Sequence, residues 1–320
     1  MKTRIDRHIK VSLLIFSLIS CCFVSCKKEN EPPAIIGPDS YEHLTEIIGL
    51  KGGLEDYREV YYYDGGKLSE YYVYRYAKDG SWKEWLRYSY DYPSEDMIIE
   101  TREGVSDSVW FKANKYEKKF IGEDLSEICF FEYDAGLPDH WRPLKKIGWI
   151  LETDRPVERV TWIYQGSAWE QYQKSLYEYE GTLWTGLKTY RYIDGTWDTV
   201  GCMALVYQGG KLSEVDVYEC HHPGGWTHNE QYLLNYTGSM ISEMKINTRE
   251  ADSLAWERTI FVEYDENGLP AEYIIDFECC PTELIQMTYE SGKGNFQRAT
   301  RGVSDHIFWP WFPAPEKKME

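Results

Sequence analysis

Apolar and polar residues alternate along most of this chain with a period of two, and the alternation itself recurs. Trp82, Leu86, Tyr88, Tyr90 and Tyr92 share one parity, while Lys83, Arg87, Ser89 and Asp91 share the other. Trp226, Tyr232, Leu234 and Tyr236 repeat the pattern. Period two with one polar face predicts half-buried β-strands. Tryptophans fall at 82, 110, 141, 169, 197, 226 and 256, in steps of 28 to 31 residues. A second apolar anchor trails each one by 13 to 16 residues: Met97, Leu125, Val157, Leu183, Leu212, Ile241 and Leu269. One step back gives Leu54 and Leu68; one step forward gives Leu284 and Phe296. Nine units covering residues 54–301 follow from this spacing.

Turn chemistry marks the same unit. Asp79-Gly80-Ser81, Asp194-Gly195-Thr196 and Pro223-Gly224-Gly225 each precede a tryptophan. Asp64-Gly65-Gly66-Lys67, Gln208-Gly209-Gly210-Lys211 and Asp265-Glu266-Asn267-Gly268 each precede a second anchor. Gly, Asn and Asp supply the positive-φ positions of tight hairpins. Two turns per unit leave two strands of about nine residues, so nine units make about eighteen strands of antiparallel meander. Laid flat, such a sheet would be about 86 Å wide. Open sheets rarely exceed about ten strands. The expectation is an all-β fold curled into a shell, a barrel-like spiral or a two-layer wrap, with the Trp and Tyr stripe inside. In Leu125-Ser126-Glu127-Ile128-Cys129-Phe130-Phe131 both parities are apolar, which leaves the buried face of the second strand open.

The first residues follow a different logic. Lys2, Arg4, Arg7 and Lys10 precede an apolar run, Val11 to Val24, and then Ser25-Cys26 and an abrupt polar shift. The run is too short for a mature span, which predicts a signal peptide over 1–25. Phe23-Val24-Ser25-Cys26 fits lipoprotein processing, with Cys26 as the acylated residue; Leu18-Ile19-Ser20-Cys21 is the competing match. Residues 26–53 read as the lipidated cysteine and a Pro-containing polar tether, with a short helix over Tyr41–Ile48 capped by Ser40. Cys26-Lys-Lys-Glu-Asn-Glu resembles the start of Bacteroidota-type lipoproteins, which implies an outer-membrane lipid anchor and display on the cell surface. Residues 302–320 hold Phe308-Trp309-Pro310-Trp311-Phe312, an aromatic tail expected to cover an open end or a last edge strand.

Tyr63-Asp64-x-Gly66-x-Leu68, Tyr133-Asp134-x-Gly136-Leu137 and Tyr264-Asp265-x-x-Gly268-Leu269 resemble the Tyr-Asp core of YD/RHS-type repeats. That resemblance implies an antiparallel sheet spiralling into a shell, and no activity. The period here is longer than in that family, and Glu180, Gln208 and Thr237 replace the Asp in units five to seven.

Charge and chemistry narrow the function. The formal charge is −18; residues 1–25 carry a net +3, so the rest carries −21. Nucleic acid and anionic membranes are held through Lys and Arg, so neither is an expected partner of the folded domain. No nucleophile elbow, H-E-x-x-H or phosphate loop occurs. The recurring Glu70, Glu127, Glu214 and Glu243 read as structural rungs. The densest local cluster is Cys220-His221-His222 with His228. A hairpin turning at Gly224 would face Cys220 to His228, and Cys220, His222 and His228 would then be a candidate zinc set. Cys129, Cys202, Cys279 and Cys280 have no framework spacing. No cofactor and no catalytic residue are expected. The reading is a non-enzymatic surface lipoprotein, a binding or scaffold module held in the bilayer by its lipid and facing a glycan or surface protein. A glycan-binding accessory protein is the alternative, and a hydrolase with a site between repeats the third.

Overall fold

The computed structural model describes residues 44–289 apart from 107–108, 123, 153–154, 222–224, 251–252, 267 and 279. The expected signal peptide over 1–25, Cys26, Phe296 and the tail 302–320 lie outside the described residues.

Among the described residues every regular element is a strand. The first six are β1 (Leu44–Lys51), β2 (Leu54–Asp64), β3 (Lys67–Tyr76), β4 (Trp82–Ser94), β5 (Met97–Ser106) and β6 (Val109–Ile121). Then come β7 (Asp124–Tyr133), β8 (Trp141–Glu152), β9 (Arg155–Gln165), β10 (Ala168–Glu180), β11 (Leu183–Ile193) and β12 (Thr196–Gln208). The last are β13 (Lys211–His221), β14 (Gly225–Thr237), β15 (Met240–Glu250), β16 (Ser253–Tyr264), β17 (Pro270–Phe277) and β18 (Glu283–Tyr289). Each pairs antiparallel with the next, and β1 pairs with both β2 and β18. The result is a closed barrel of 18 strands in meander order. Tight turns at Gly65-Gly66 and Gly209-Gly210 have φ of 57° and 78°, and 59° and 79°, which only glycine adopts freely.

The closure departs from the expected domain limits. Residues 44–51, expected to lie in the tether and partly in a helix, form β1. Leu44 pairs with Tyr289, as Leu68 pairs with Tyr63 and Leu212 with Tyr207. Leu44-Thr45-Glu46 is therefore the anchor of a repeat, the counterpart of Leu68-Ser69-Glu70 and Leu212-Ser213-Glu214. The N-terminal strand supplies the second half of the ninth unit, the slot that the period had assigned to Phe296.

Two sets of β-bulges fix which residues face inward. The turns from even to odd strands, together with the junction of β18 and β1, form one rim, here the near rim. The turns from odd to even strands form the far rim. At the near rim an extra residue follows each anchor: Thr45, Ser69, Ser126, Thr185, Ser213 and Ser242 among them. Their hydroxyls donate to the facing carbonyls of Thr288, Tyr62, Lys119, Glu178, Val206 and Asn235, at 3.0–3.4 Å. A bulge flips side-chain parity. Leu125 and Ile128 can therefore both face inward, at 4% and 0% exposure, which resolves the two-faced pattern of that strand. The same register corrects three anchors by one residue. Pro156, not Val157, Trp184, not Leu183, and Pro270, not Leu269, occupy the inner slot.

Tyrosines lock neighbouring hairpins together. The hydroxyls of Tyr63, Tyr92, Tyr179, Tyr236, Tyr264 and Tyr289 donate to the carbonyls of Leu44, Leu68, Pro156, Leu212, Ile241 and Pro270, at 2.7–3.1 Å. These acceptors are the anchors of the preceding unit, and the series runs unbroken across the closure. Tyr63 and Tyr264 of the Tyr-Asp motif belong to it. Tyr133 does not: it sits at the far rim, edge-on to Trp141 with ring centroids 5.7 Å apart.

The core is a belt nearer the near rim. Tyr71, Trp184, Tyr232 and Tyr273 come from β3, β11, β14 and β17, spaced around the ring, yet each is no more than 2% exposed. Side chains this large stay dry only if opposite walls lie on one another, so this level encloses packed side chains and not water. A deep ion pair within it, Lys118 Nζ to Glu100 Oε2 at 2.6 Å, is fully enclosed.

Two outcomes test this architecture. Leu44→Ala is expected to cost about 2–5 kcal/mol in urea unfolding, as truncation of a buried leucine does, and to match Leu212→Ala; a tether residue would cost nothing. Burial also pushes the Tyr236 hydroxyl up to about 12 from its ordinary 10.0. The native state then keeps a proton that the unfolded chain loses above pH 10, so stability falls as pH climbs towards 12. Tyr236→Phe is expected to flatten part of that fall and to cost about 1 kcal/mol at neutral pH.

Candidate functional site

The repeated tryptophans line the outer surface of the far rim. Val73 pairs with Leu86, but the next residue, Tyr74, pairs with Glu84, so Trp85 is an extra residue and parity inverts there. Leu86, Tyr88 and Tyr90 point into the core, and Trp82 points out. The same inversion falls before Trp110, Trp141, Trp169, Trp197, Trp226 and Trp256 in chain-reversed order along their strands. The expected inner tryptophan stripe is thus an outer belt. The sequence pattern missed it because one unpaired residue per strand is invisible to a period-two count.

Most of the belt is packed against itself. Tyr76, Tyr133, Tyr164 and Tyr192 meet Trp82, Trp141, Trp169 and Trp197 across strands, with centroids 5.2–5.7 Å apart. A cation from two strands back lies near four of the rings. Arg87, Lys115, Lys146 and Lys174 stand 5.2, 5.5, 5.5 and 4.8 Å from Trp110, Trp141, Trp169 and Trp197. Each is the second residue after its strand's extra residue. In β12, β14 and β16 that position holds Cys202, Gln231 and Thr259. The cations stop there, and Trp226, 51% exposed, is the most open of the series.

Beside Trp226 lies a polar network on the outer faces of β13, β14 and β15. His228 stacks on Tyr218 with centroids 4.6 Å apart. Its Nε2 lies 2.8 Å from Asp216 Oδ1, a contact without the alignment of a hydrogen bond. Gln231 Nε2 donates to Glu214 Oε1 at 2.6 Å and to Asp216 Oδ1 at 3.3 Å. Asn247 Nδ2 donates to Gln231 Oε1 at 2.9 Å. Such a patch offers amide donors, carboxylate acceptors and an imidazole next to an uncovered indole.

The register revises the candidate zinc set. Cys220 pairs with Trp226 and His228 with Tyr218, so Cys220 does not face His228. His221 pairs with Gly225, so the ladder counts from one residue before the expected turn at Gly224, and Cys220 and His228 fall a row apart. His222 lies outside the described residues. No group of three or more potential ligands converges among the described residues. The recurring glutamates sit on the outer face as rungs. Glu127 pairs with Lys119 at 2.8 Å and approaches Lys146 at 3.7 Å, while Glu70, Glu214 and Glu243 accept from Tyr72, Gln231 and Asn235.

Because Trp169 is half-buried on the outside, truncating it removes an edge-on tyrosine contact and a cation contact, each worth about 0.5–1.5 kcal/mol. Trp169→Ala is therefore expected to cost about 1–2 kcal/mol, against about 3–5 kcal/mol for Trp184→Ala, whose ring is buried. Equal costs in denaturant unfolding would return the belt to the core.

No family model matches the chain, and no curated protein matches it. Solved structures are similar to it at low overlap. A porin-like protein from Bacteroides uniformis is 8% identical, with 78% of this chain and 96% of that one covered and a TM-score of 0.39. A porin-like protein from Bacteroides vulgatus is 11% identical, with 79% and 99% covered and a TM-score of 0.33. A protein of unknown function from Bacteroides fragilis is 12% identical, with 38% and 91% covered and a TM-score of 0.34. None overlaps this chain closely enough to carry a function across.

Proposed function

We propose that this chain is a lipid-anchored envelope protein that works as a surface binding module through the outer patch around Trp226, Tyr218 and His228. The carrying observation is local. The cation that covers a tryptophan in four earlier units is absent here, and Trp226 stands open beside the Asp216, Gln231 and Asn247 network.

Orientation supports the reading. β1 begins and β18 ends at the near rim, so a tether from Cys26 meets the barrel there. Residues 27–43 span at most about 60 Å when extended. The aromatic belt at the far rim then points away from the bilayer. The outer wall itself is unsuited to lipid. Arg58 pairs with Glu46 at 2.5 Å, Lys115 with Glu117 at 2.8 Å and Lys119 with Glu127 at 2.8 Å, all facing outward. A membrane-spanning barrel carries an apolar band in that place.

A glycan is the favoured ligand class. A sugar ring offers an apolar C–H face to an open indole and hydroxyls to amides and carboxylates, and this patch holds both. In a glycan array with the soluble domain, Trp226→Ala is expected to weaken binding at least about tenfold, a loss of about 1.4 kcal/mol, with Trp197→Ala unchanged. Binding that survives Trp226→Ala, or that maps to the cation-covered units, would sink the assignment. For the anchor, Cys26→Ser is expected to abolish metabolic lipid labelling; unchanged labelling would transfer the role to Cys21 or Cys22.

A further inference from the structure

One inner slot of the barrel breaks the repeat in a different way. Three residues after each anchor, the inner wall carries Ile47, Tyr71, Ile128, Leu187, Val215, Met244 and Tyr273 in seven units. All seven are buried. The fourth unit carries Arg159 instead, and it too is buried, at 4% exposure. A charge taken out of water needs a partner, and an unpaired one is strongly destabilising. The second unit carries Glu100 in this slot, and there the need is met by Lys118.

Arg159 has no carboxylate among the described residues. Its Nη2 makes a 3.3 Å hydrogen bond to Ser175 Oγ, and its Nε is enclosed without a partner. The row it occupies runs Trp149, Arg159, Ser175, Thr189 and Gly201 across β8 to β12. Trp149 Nε1 is likewise enclosed without a partner, and Trp149 is 8% exposed. Gln173, 6% exposed, faces inward one row up. A second cation joins from β8. Lys145 faces inward opposite Ile163, with its Nζ 4.2 Å above the Phe130 ring. Burial and the Arg159 charge hold Lys145 below the usual lysine range. The assembly is thus two cations, an indole N–H, an amide and two hydroxyls, with glycine at the end of the Arg159 row and no acid in that row; the exposed Glu170 shares the row of Lys145, across Ile163.

We propose that this inward face of β8–β10 is a binding site for a small oxyanion, a phosphate, sulfate or carboxylate group, held by Arg159 with Trp149 and Lys145. A planar guanidinium with a free N–H beside a second fixed donor suits an oxyanion with two or more oxygens. The site is independent of the outer patch: it lies on the other face of the sheet, and β10, its nearest strand, is three strands from β13, the nearest strand of that patch.

The test is thermal unfolding of the mature domain at matched ionic strength in chloride, sulfate, phosphate and acetate. A ligand that binds only the folded state raises the midpoint and saturates. Sulfate or phosphate is expected to give a saturable rise over chloride, and the acetate arm reports whether a lone carboxylate suffices. Arg159→Leu restores the apolar slot of the other units. It is expected to fold, to unfold no earlier than the parent in chloride, and to lose the saturable response. Lys145→Met is expected to keep the response with a half-saturation at least about tenfold higher, and it carries the test if Arg159→Leu does not fold. No saturable rise in the parent, or the same rise in Arg159→Leu, would overturn the proposal.

Discussion

An antiparallel meander has two edges, and everything in this structure depends on their being joined. Strands β2 to β18 alone would expose two rows of unpaired backbone groups, the usual template for aggregation. β1 fits between them because it is half of a repeat. Its Leu44 accepts from Tyr63, and its Thr45 hydroxyl reaches Thr288, as the equivalent groups do in other units, Tyr236 with Leu212 and Ser213 with Val206 among them. Closure therefore needs no special interface. It does need the two ends of the domain to meet, across 243 residues of sequence at Thr45 and Thr288. Hairpins β2–β3 to β16–β17 are local and form without it. Contacts of such separation are the entropically costly ones, so the ring closes last.

The bulges explain why the repeat holds two strands yet buries only half of each. With one parity throughout, a tryptophan strand would place Trp226 on the same face as Tyr232, Leu234 and Tyr236, and an anchor strand would place Leu212 and Val215 on opposite faces. One extra residue near each end lets Leu212 and Val215 share the inner face while Trp226 and Tyr218 share the outer one. The hydroxyl at the near-rim bulge reaches the carbonyl on the facing strand, so the irregularity leaves that polar group served. Barrel curvature and side-chain sorting thus come from the same inserted residues.

This is also where the sequence was legible and where it was not. The number of strands, their order and the tight turns follow from the spacing of Trp and Leu and from pairs such as Gly65-Gly66 and Gly209-Gly210. The face of each tryptophan does not, because Trp85 and Asn229 look like ordinary members of an alternating run. Leu44-Thr45-Glu46 was readable as a further Leu-Ser/Thr-Glu anchor. It was hidden by the Pro-containing polar sequence before it and by the search for a tryptophan that the unit does not need there. The slip at Pro156 and Trp184 has the same origin: both have an apolar neighbour at the expected offset, and only the ladder separates them. Cys220 and His228 were placed opposite each other by counting from Gly224, and a hairpin that pairs His221 with Gly225, one residue off that count, undoes it.

Regularity makes deviation measurable, and the two deviating sites differ in what they cost. Losing a cation from the outer belt forfeits about 0.5–1 kcal/mol at an exposed site, an amount that neutral change tolerates. The patch at Trp226 is therefore identified by its exposure and its neighbours, not by the substitution itself. Arg159 is a different matter. Replacing an Ile, Leu, Val or Tyr in a dry slot by an unpaired guanidinium costs several kcal/mol, a large part of the stability of a whole domain. A chain of nine equivalent units has eight working apolar or ion-paired solutions to that slot. Retaining the one costly solution makes physical sense when something negatively charged binds there and offsets it.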